Sequence, residues 1–141
     1  MNDTALETRP HFSFALMHAA QAVTDKLEGA LNELGLSMAK QSALTQLAKA
    51  GEPLTLSDLA ARLSCVRSNI TQLVDRLEAD GLVKRVDDAS DRRSVRAELT
   101  PVGREKQEAG SKAMESAQAE LSKRLSHHEV SALESALGSL G

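Results

Sequence analysis

Aromatic residues are nearly missing from this chain. Phe12 and Phe14 are the whole supply, with no Trp and no Tyr in 141 residues. An all-β sandwich draws its core from aromatic and β-branched side chains; abundant Ala, Leu, Ser and Glu point instead to helices. The same shortage excludes RNA-binding sheets and single-strand folds that stack bases on exposed rings. Cys65 is the one cysteine, which excludes an internal disulfide framework and a cysteine-rich zinc site. No apolar run approaches the roughly eighteen residues that span a bilayer. The segment Met1 to Arg9 is polar and lacks the apolar stretch of a secretion signal. Together these features predict a soluble, cytoplasmic, mostly helical protein.

A strong charge of one sign is missing too. The formal charge is −3 and the isoelectric point is about 5.8, which is not the bulk footprint of a nucleic-acid binder. The segment from Leu54 to Lys106 holds 10 basic and 9 acidic residues, however, and the acidic excess lies in the flanks. A DNA-binding surface would therefore have to come from bases placed on one face.

Catalytic and metal signatures are also absent. There is no glycine-rich phosphate loop, no serine-nucleophile motif and no metal-spaced His–Glu cluster. His11 and His18 on one helix would stand about 10.5 Å apart along its axis, too far to share an ion. His127 and His128 are adjacent and diverge. The expectation is a protein that is not an enzyme, with no cofactor and no metal.

What the chain does have is helical periodicity. Phe12, Leu16, Ala19, Val23, Leu27, Ala30 and Leu34 form one stripe of a long helix. Packing is the stronger reading of both phenylalanines; a place beside a ligand pocket is the alternative, which they share with His18. Gly35 suits a left-handed cap, and Ser37 can cap a second helix that runs to about Ala50. Gly51-Glu52-Pro53 stops it. A short third helix opens at Ser57 on Leu59, Ala60 and Leu63. After the turn Ser64-Cys65-Val66, a fourth helix runs from about Arg67 to Asp80, with Ile70, Leu73, Val74 and Leu77 inward.

Two extended runs follow, Leu82 to Asp87 and Ser94 to Thr100. In the second, Val95, Ala97 and Leu99 alternate with polar residues, as in a half-buried strand. The loop between them is a charged hairpin tip. Thr100-Pro101 restarts a helix to about Leu125, with Ala109, Ala113, Ala117, Leu121 and Leu125 at four-residue spacing. A last helix spans about Glu129 to Leu140.

Two short helices joined by a tight turn and followed by a hairpin describe a winged helix-turn-helix. With its apolar face anchored, the fourth helix turns Ser68, Gln72 and Asp75 outward, with Arg67 and Thr71 on the flank. Hydroxyl, amide and guanidinium groups in that first turn suit base edges and phosphates of a major groove. Arg92 and Arg93 at the hairpin tip suit the negative potential of a minor groove. A winged-helix protein-interaction module that does not read DNA is the rival from another class, separated by whether basic residues line this face.

Residues 54–106 resemble the MarR family of bacterial transcription regulators. The resemblance rests on the helix-turn-helix, the run Leu73 to Arg85, the Asp91-Arg92-Arg93 tip and the exit Leu99-Thr100-Pro101-Val102-Gly103-Arg104. The flanking helices extend it over essentially the whole chain. It implies a homodimer interlocked by residues 1–36 and 101–141 around a DNA-binding lobe of residues 37–100, in one intertwined domain. It also implies a pseudo-palindromic duplex as target. Arg67, Ser68, Asn69, Thr71 and Gln72 would line the major groove, and Arg93, held by Asp91, would enter the minor groove. Arg76, on the side of the helix, would pair with an acid or a phosphate. Such regulators are typically repressors released by a small phenolic or anionic effector.

The turn departs from the family pattern of glycine, an apolar residue and serine. Here Ser64, Cys65 and Val66 stand in those places, so Val66 offers no capping oxygen and Ser64 is the substitute considered. Cys65 admits two readings: a thiol near a helix start that switches the regulator by oxidation, or a small hydrophobe filling the apolar slot.

Overall fold

The computed structural model describes residues 11–65, 67–87 and 94–141. Six helices and three short strands follow one another in these segments. Helix α1 spans His11–Asn32 and α2 spans Met38–Ala50. The helix-turn-helix follows as α3, Leu56–Leu63, and α4, Arg67–Ala79. The strands are β1, Leu54–Thr55, β2, Val83–Asp87, and β3, Val95–Leu99. Helices α5, Pro101–Ser122, and α6, His127–Gly138, complete the chain. Mostly helical with a small antiparallel sheet, this is the winged-helix architecture expected.

Local chemistry sets the helix boundaries. Gly35 adopts φ +74° after α1, and the Ser37 hydroxyl accepts from the Lys40 N–H to start α2. The Thr100 hydroxyl both caps α5 and anchors it. Its Oγ1 accepts from the Gly103 N–H at 2.9 Å and donates to the Gly81 carbonyl at 2.7 Å. The first turn of α5 is thereby tied to the loop that enters β2. A Cβ on Gly103 would fall 1.9 Å from the Leu82 carbonyl oxygen, so only glycine lets α5 cross so close to that backbone. Ser126 and Glu129 form a reciprocal capping box at the start of α6.

The wing and three helix boundaries differ from the sequence expectation. The wing is three-stranded in the order β1-β3-β2, because Leu54 pairs with Ala97 and Thr55 with Arg96. Leu54 is buried there, and Thr55 caps α3, which therefore opens at Leu56, one residue before Ser57. Helix α5 ends at Ser122, before Leu125, and α6 begins at His127, where its capping serine places it.

The core lies among the helix-turn-helix, α2, the sheet and the C-terminal end of α1. Leu31, Leu44, Leu59, Ile70, Val74, Leu77 and Val83 are its largest fully buried side chains. By contrast α6 contributes no buried residue, and α1 contributes only Leu31. Phe12 and Phe14, read as packing residues, are 62% and 67% exposed. The α1 stripe is real, but within one chain little covers its N-terminal half. Phe12, Leu16, Leu133, Leu137 and Leu140 line an open apolar cleft of about 510 Å³. Val23, Leu125 and Val130 extend the apolar surface into a second cleft of about 540 Å³.

Candidate nucleic-acid interface

Helix α4 is fixed by Ile70, Val74 and Leu77, all with no exposed surface, and by half-buried Leu73 packed against the same core. This arrangement is the inward face expected from spacing. On the outside, Ser68, Asn69, Thr71, Gln72 and Arg76 are exposed together. Among the described residues, Arg76 has no ion-pair partner. Arg67 opens the helix, but its side chain lies outside the described residues. So do Val66, Asp91, Arg92 and Arg93, and with them the expected wing tip.

The turn before α4 is built by the backbone of α3. Ser64 takes the left-handed conformation at φ 53°, ψ 40°. The Cys65 N–H donates to the Ala60 carbonyl at 2.9 Å, and the Ser64 N–H to the Ala61 carbonyl at 3.3 Å. These are the two bonds of a Schellman closure. Ser64 thus ends α3 as its left-handed cap, a place that the family pattern gives to glycine. Cys65 follows it half-buried and packed against the core, as the apolar residue that normally accompanies this closure. That position favours the packing reading of Cys65 over the redox one.

Sequence reasoning places Asp75 outward but misses what it binds. Arg85 of β2 reaches back to α4, with Nη2 2.5 Å from Asp75 Oδ1 and Nη1 2.7 Å from Glu78 Oε1. Its backbone N–H also donates to Glu78 Oε2 at 3.1 Å. Partial burial alone would lower the Arg85 pKa; the hydrogen bonds to Asp75 and Glu78 outweigh it and raise the value. The only hint in the sequence is two carboxylates one helical turn apart with an arginine shortly after.

A second polar feature, also missed, lies between α2 and α5. Gln41 is 3% exposed. Its Nε2 donates to the Gln107 carbonyl at 3.0 Å, while its Oε1 has no hydrogen-bond partner among the described residues. Gln41, Thr45, Ser111 and Met114 line a groove of about 340 Å³. No group of three or more His, Cys, Asp or Glu close enough to hold a metal occurs among the described residues. No helix among them is long and apolar enough to cross a membrane.

A model of the MarR family matches residues 36–95, the segment holding α2, the helix-turn-helix and most of the sheet. An HTH-type transcriptional regulator of Bacillus subtilis, YsmB, is 31% identical over 103 residues, covering 73% of this chain and 70% of that protein. The chain belongs to the MarR family. As a MarR-family transcriptional regulator it carries the DNA-binding winged helix on α3, α4 and the sheet. The solved structure of a mutant MarR from Escherichia coli complexed with operator DNA is similar at a TM-score of 0.77 and 27% identity, covering 95% of each chain. CouR of Rhodococcus jostii, solved with p-coumaroyl-CoA, is similar at a TM-score of 0.73 and 27% identity, covering 93% of this chain and 92% of that one.

Proposed function

We propose that this regulator acts as a homodimer on a pseudo-palindromic duplex and represses transcription by occupying promoter DNA until a small effector releases it. The observation that carries the reading is the exposed face of α4. Ser68, Asn69, Gln72 and Arg76 stand together there on a helix anchored by three fully buried side chains. In the similar MarR structure the same fold is bound to operator DNA. Arg67, Ser68, Asn69, Thr71 and Gln72 read or line the major groove, and Arg76 meets a phosphate. Arg92 and Arg93, the latter oriented by Asp91, serve the minor groove.

Dimer formation is supported by the uncovered apolar surface of α1, α5 and α6. A monomer exposing Phe12, Val23, Leu125, Leu133, Leu137 and Leu140 leaves an apolar area of the kind that marks a protein interface. Effector release is supported by the groove between α2 and α5. Its lining of Gln41, Thr45, Ser111 and Met114 combines amide and hydroxyl groups with an apolar wall, the mixture a small amphipathic ligand needs. The CouR structure is of a protein of this fold bound to p-coumaroyl-CoA. A phenolic or anionic acyl compound is accordingly the class to screen first.

The test is a mobility shift on DNA flanking the protein's own gene and on a genomic fragment library, across a salt series. The expected result is a retarded complex of dimer stoichiometry that fades steeply with salt, since each neutralised phosphate releases counterions. Equal retardation of all fragments would overturn the reading and promote the interaction module.

A further inference from the structure

An exposed ion pair is worth little by itself, and a single one between a helix and a strand would carry no argument. Arg85 differs in geometry. Three hydrogen bonds leave one residue of β2 and end on two carboxylates, Asp75 and Glu78, of one helix. The guanidinium is a planar fork that can serve both acids at once; an ammonium is a point charge that cannot do so in the same way. The Arg85 side chain is 27% exposed, against 60% for Asp75 and 42% for Glu78. The cation is thus the sheltered partner and the acids lie toward solvent.

Two consequences meet at this point. Strand β2 enters the 88–93 segment and β3 leaves it, paired from Val83↔Leu99 to Asp87↔Val95. Whatever fixes β2 against α4 therefore fixes the spacing between the outward face of the helix and the base of the wing. Asp75 and Glu78 also sit on the helix that presents Ser68, Asn69, Gln72 and Arg76. Left uncovered, two carboxylates on that element would repel a phosphate backbone.

We propose that Arg85 is a positioning residue for DNA recognition, holding α4 and the wing at a fixed separation through Asp75 and Glu78 while cancelling part of their charge. The inference rests on the DNA-binding reading above. Arg85 itself touches no nucleic acid. Its contribution is to specificity, because specific binding needs both readers in register, whereas loose electrostatic association with any duplex does not.

The test compares affinity for the operator fragment with affinity for a random duplex of equal length, at one salt concentration, with folding checked by circular dichroism at the assay temperature. Three variants are used: Arg85→Gln, Arg85→Lys, and the triple Arg85→Gln/Asp75→Asn/Glu78→Gln, which removes all three charges. In Arg85→Gln the operator-to-random ratio should fall by roughly tenfold, the scale of one recognition contact. In the triple variant random-duplex affinity should return while the ratio stays low, and Arg85→Lys should fall between Arg85→Gln and wild type. An unchanged ratio in folded Arg85→Gln, or a ratio restored by the triple variant, would overturn the proposal. Where Arg85→Gln does not fold, the folded Arg85→Lys decides by the same ratio. A wild-type protein with no operator preference overturns both readings; a wild-type preference that the variants keep overturns this one alone.

Discussion

Lys40 Nζ lies 2.8 Å from Asp80 Oδ2, so the first turn of α2 is tied to the residue just past the end of α4. Asp80 stands where the carbonyl ends of that helix already concentrate negative charge, and Lys40 offsets both. Replacing Lys40 by Met should destabilise the protein by about 0.5–1 kcal/mol, the upper range for a partly sheltered pair. A double-mutant cycle with Asp80→Asn in urea unfolding measures the coupling, which should shrink as salt rises.

Ser64 holds a left-handed conformation at φ 53° that costs an L-residue roughly 1–2 kcal/mol relative to glycine. Part of this is returned through the stiffer unfolded chain of serine. Ser64→Gly should therefore raise stability by about 0.5–1 kcal/mol. Ser64→Val should lower it, since β-branching makes the left-handed region still worse. Thermal unfolding of the two variants beside wild type checks both signs.

A Cβ placed on Gly110 would fall 2.1 Å from Gln41 Oε1. The buried amide has little room to yield, so Gly110→Ala should cost about 1–3 kcal/mol, as overpacking does. Shortening the opposing side chain should remove the clash. The double variant Gly110→Ala/Gln41→Ala is expected to be more stable than the sum of the single effects, by urea unfolding.

Glu120 has its pKa lowered from the ordinary value of 4.5, chiefly by its hydrogen bond to Lys26 and then by that charge. The pair joins α5 to α1 at 2.8 Å. A carboxyl with a depressed native pKa stabilises the fold above its unfolded value and loses that contribution as pH falls through the native one. Glu120→Gln should therefore be less stable than wild type at neutral pH, and the gap should close as pH drops below 4.5. Parallel unfolding series from about pH 7 to about pH 3 test the convergence.

The parts of the fold legible in the sequence are those fixed within a few residues. Gly35, Ser37 and Thr100-Pro101 mark their boundaries because a cap is a local contract between one side chain and the next turn. The alternation of Val95, Ala97 and Leu99 marks β3 for the same reason. Strand β1 is not legible, since two residues carry no period and exist as a strand only through pairing with Arg96 and Ala97. The stripe on α1 shows an apolar face without showing what covers it, and so packing is the wrong reading of Phe12 and Phe14 within one chain. Of the candidate site, Ser68, Asn69, Thr71, Gln72 and Arg76 follow from the geometry of one helix or from family likeness. Arg85 and Gln41 escape notice because their partners lie on other elements, and no spacing within a helix announces a contact between helix and strand or across two helices.

Sheets with free margins invite strands from other molecules, because an unpaired row of N–H and C=O groups is a template for addition. In this three-stranded sheet both outer strands are blunted. On one side, β1 is only two residues long, too short to nucleate a growing ladder. On the other, the Arg85 N–H of β2 is already occupied by the Glu78 carboxylate, so that donor is not free to pair with an incoming strand. The bond that seats a helix against the wing therefore also makes the lobe a poor seed for aggregation when the protein is abundant.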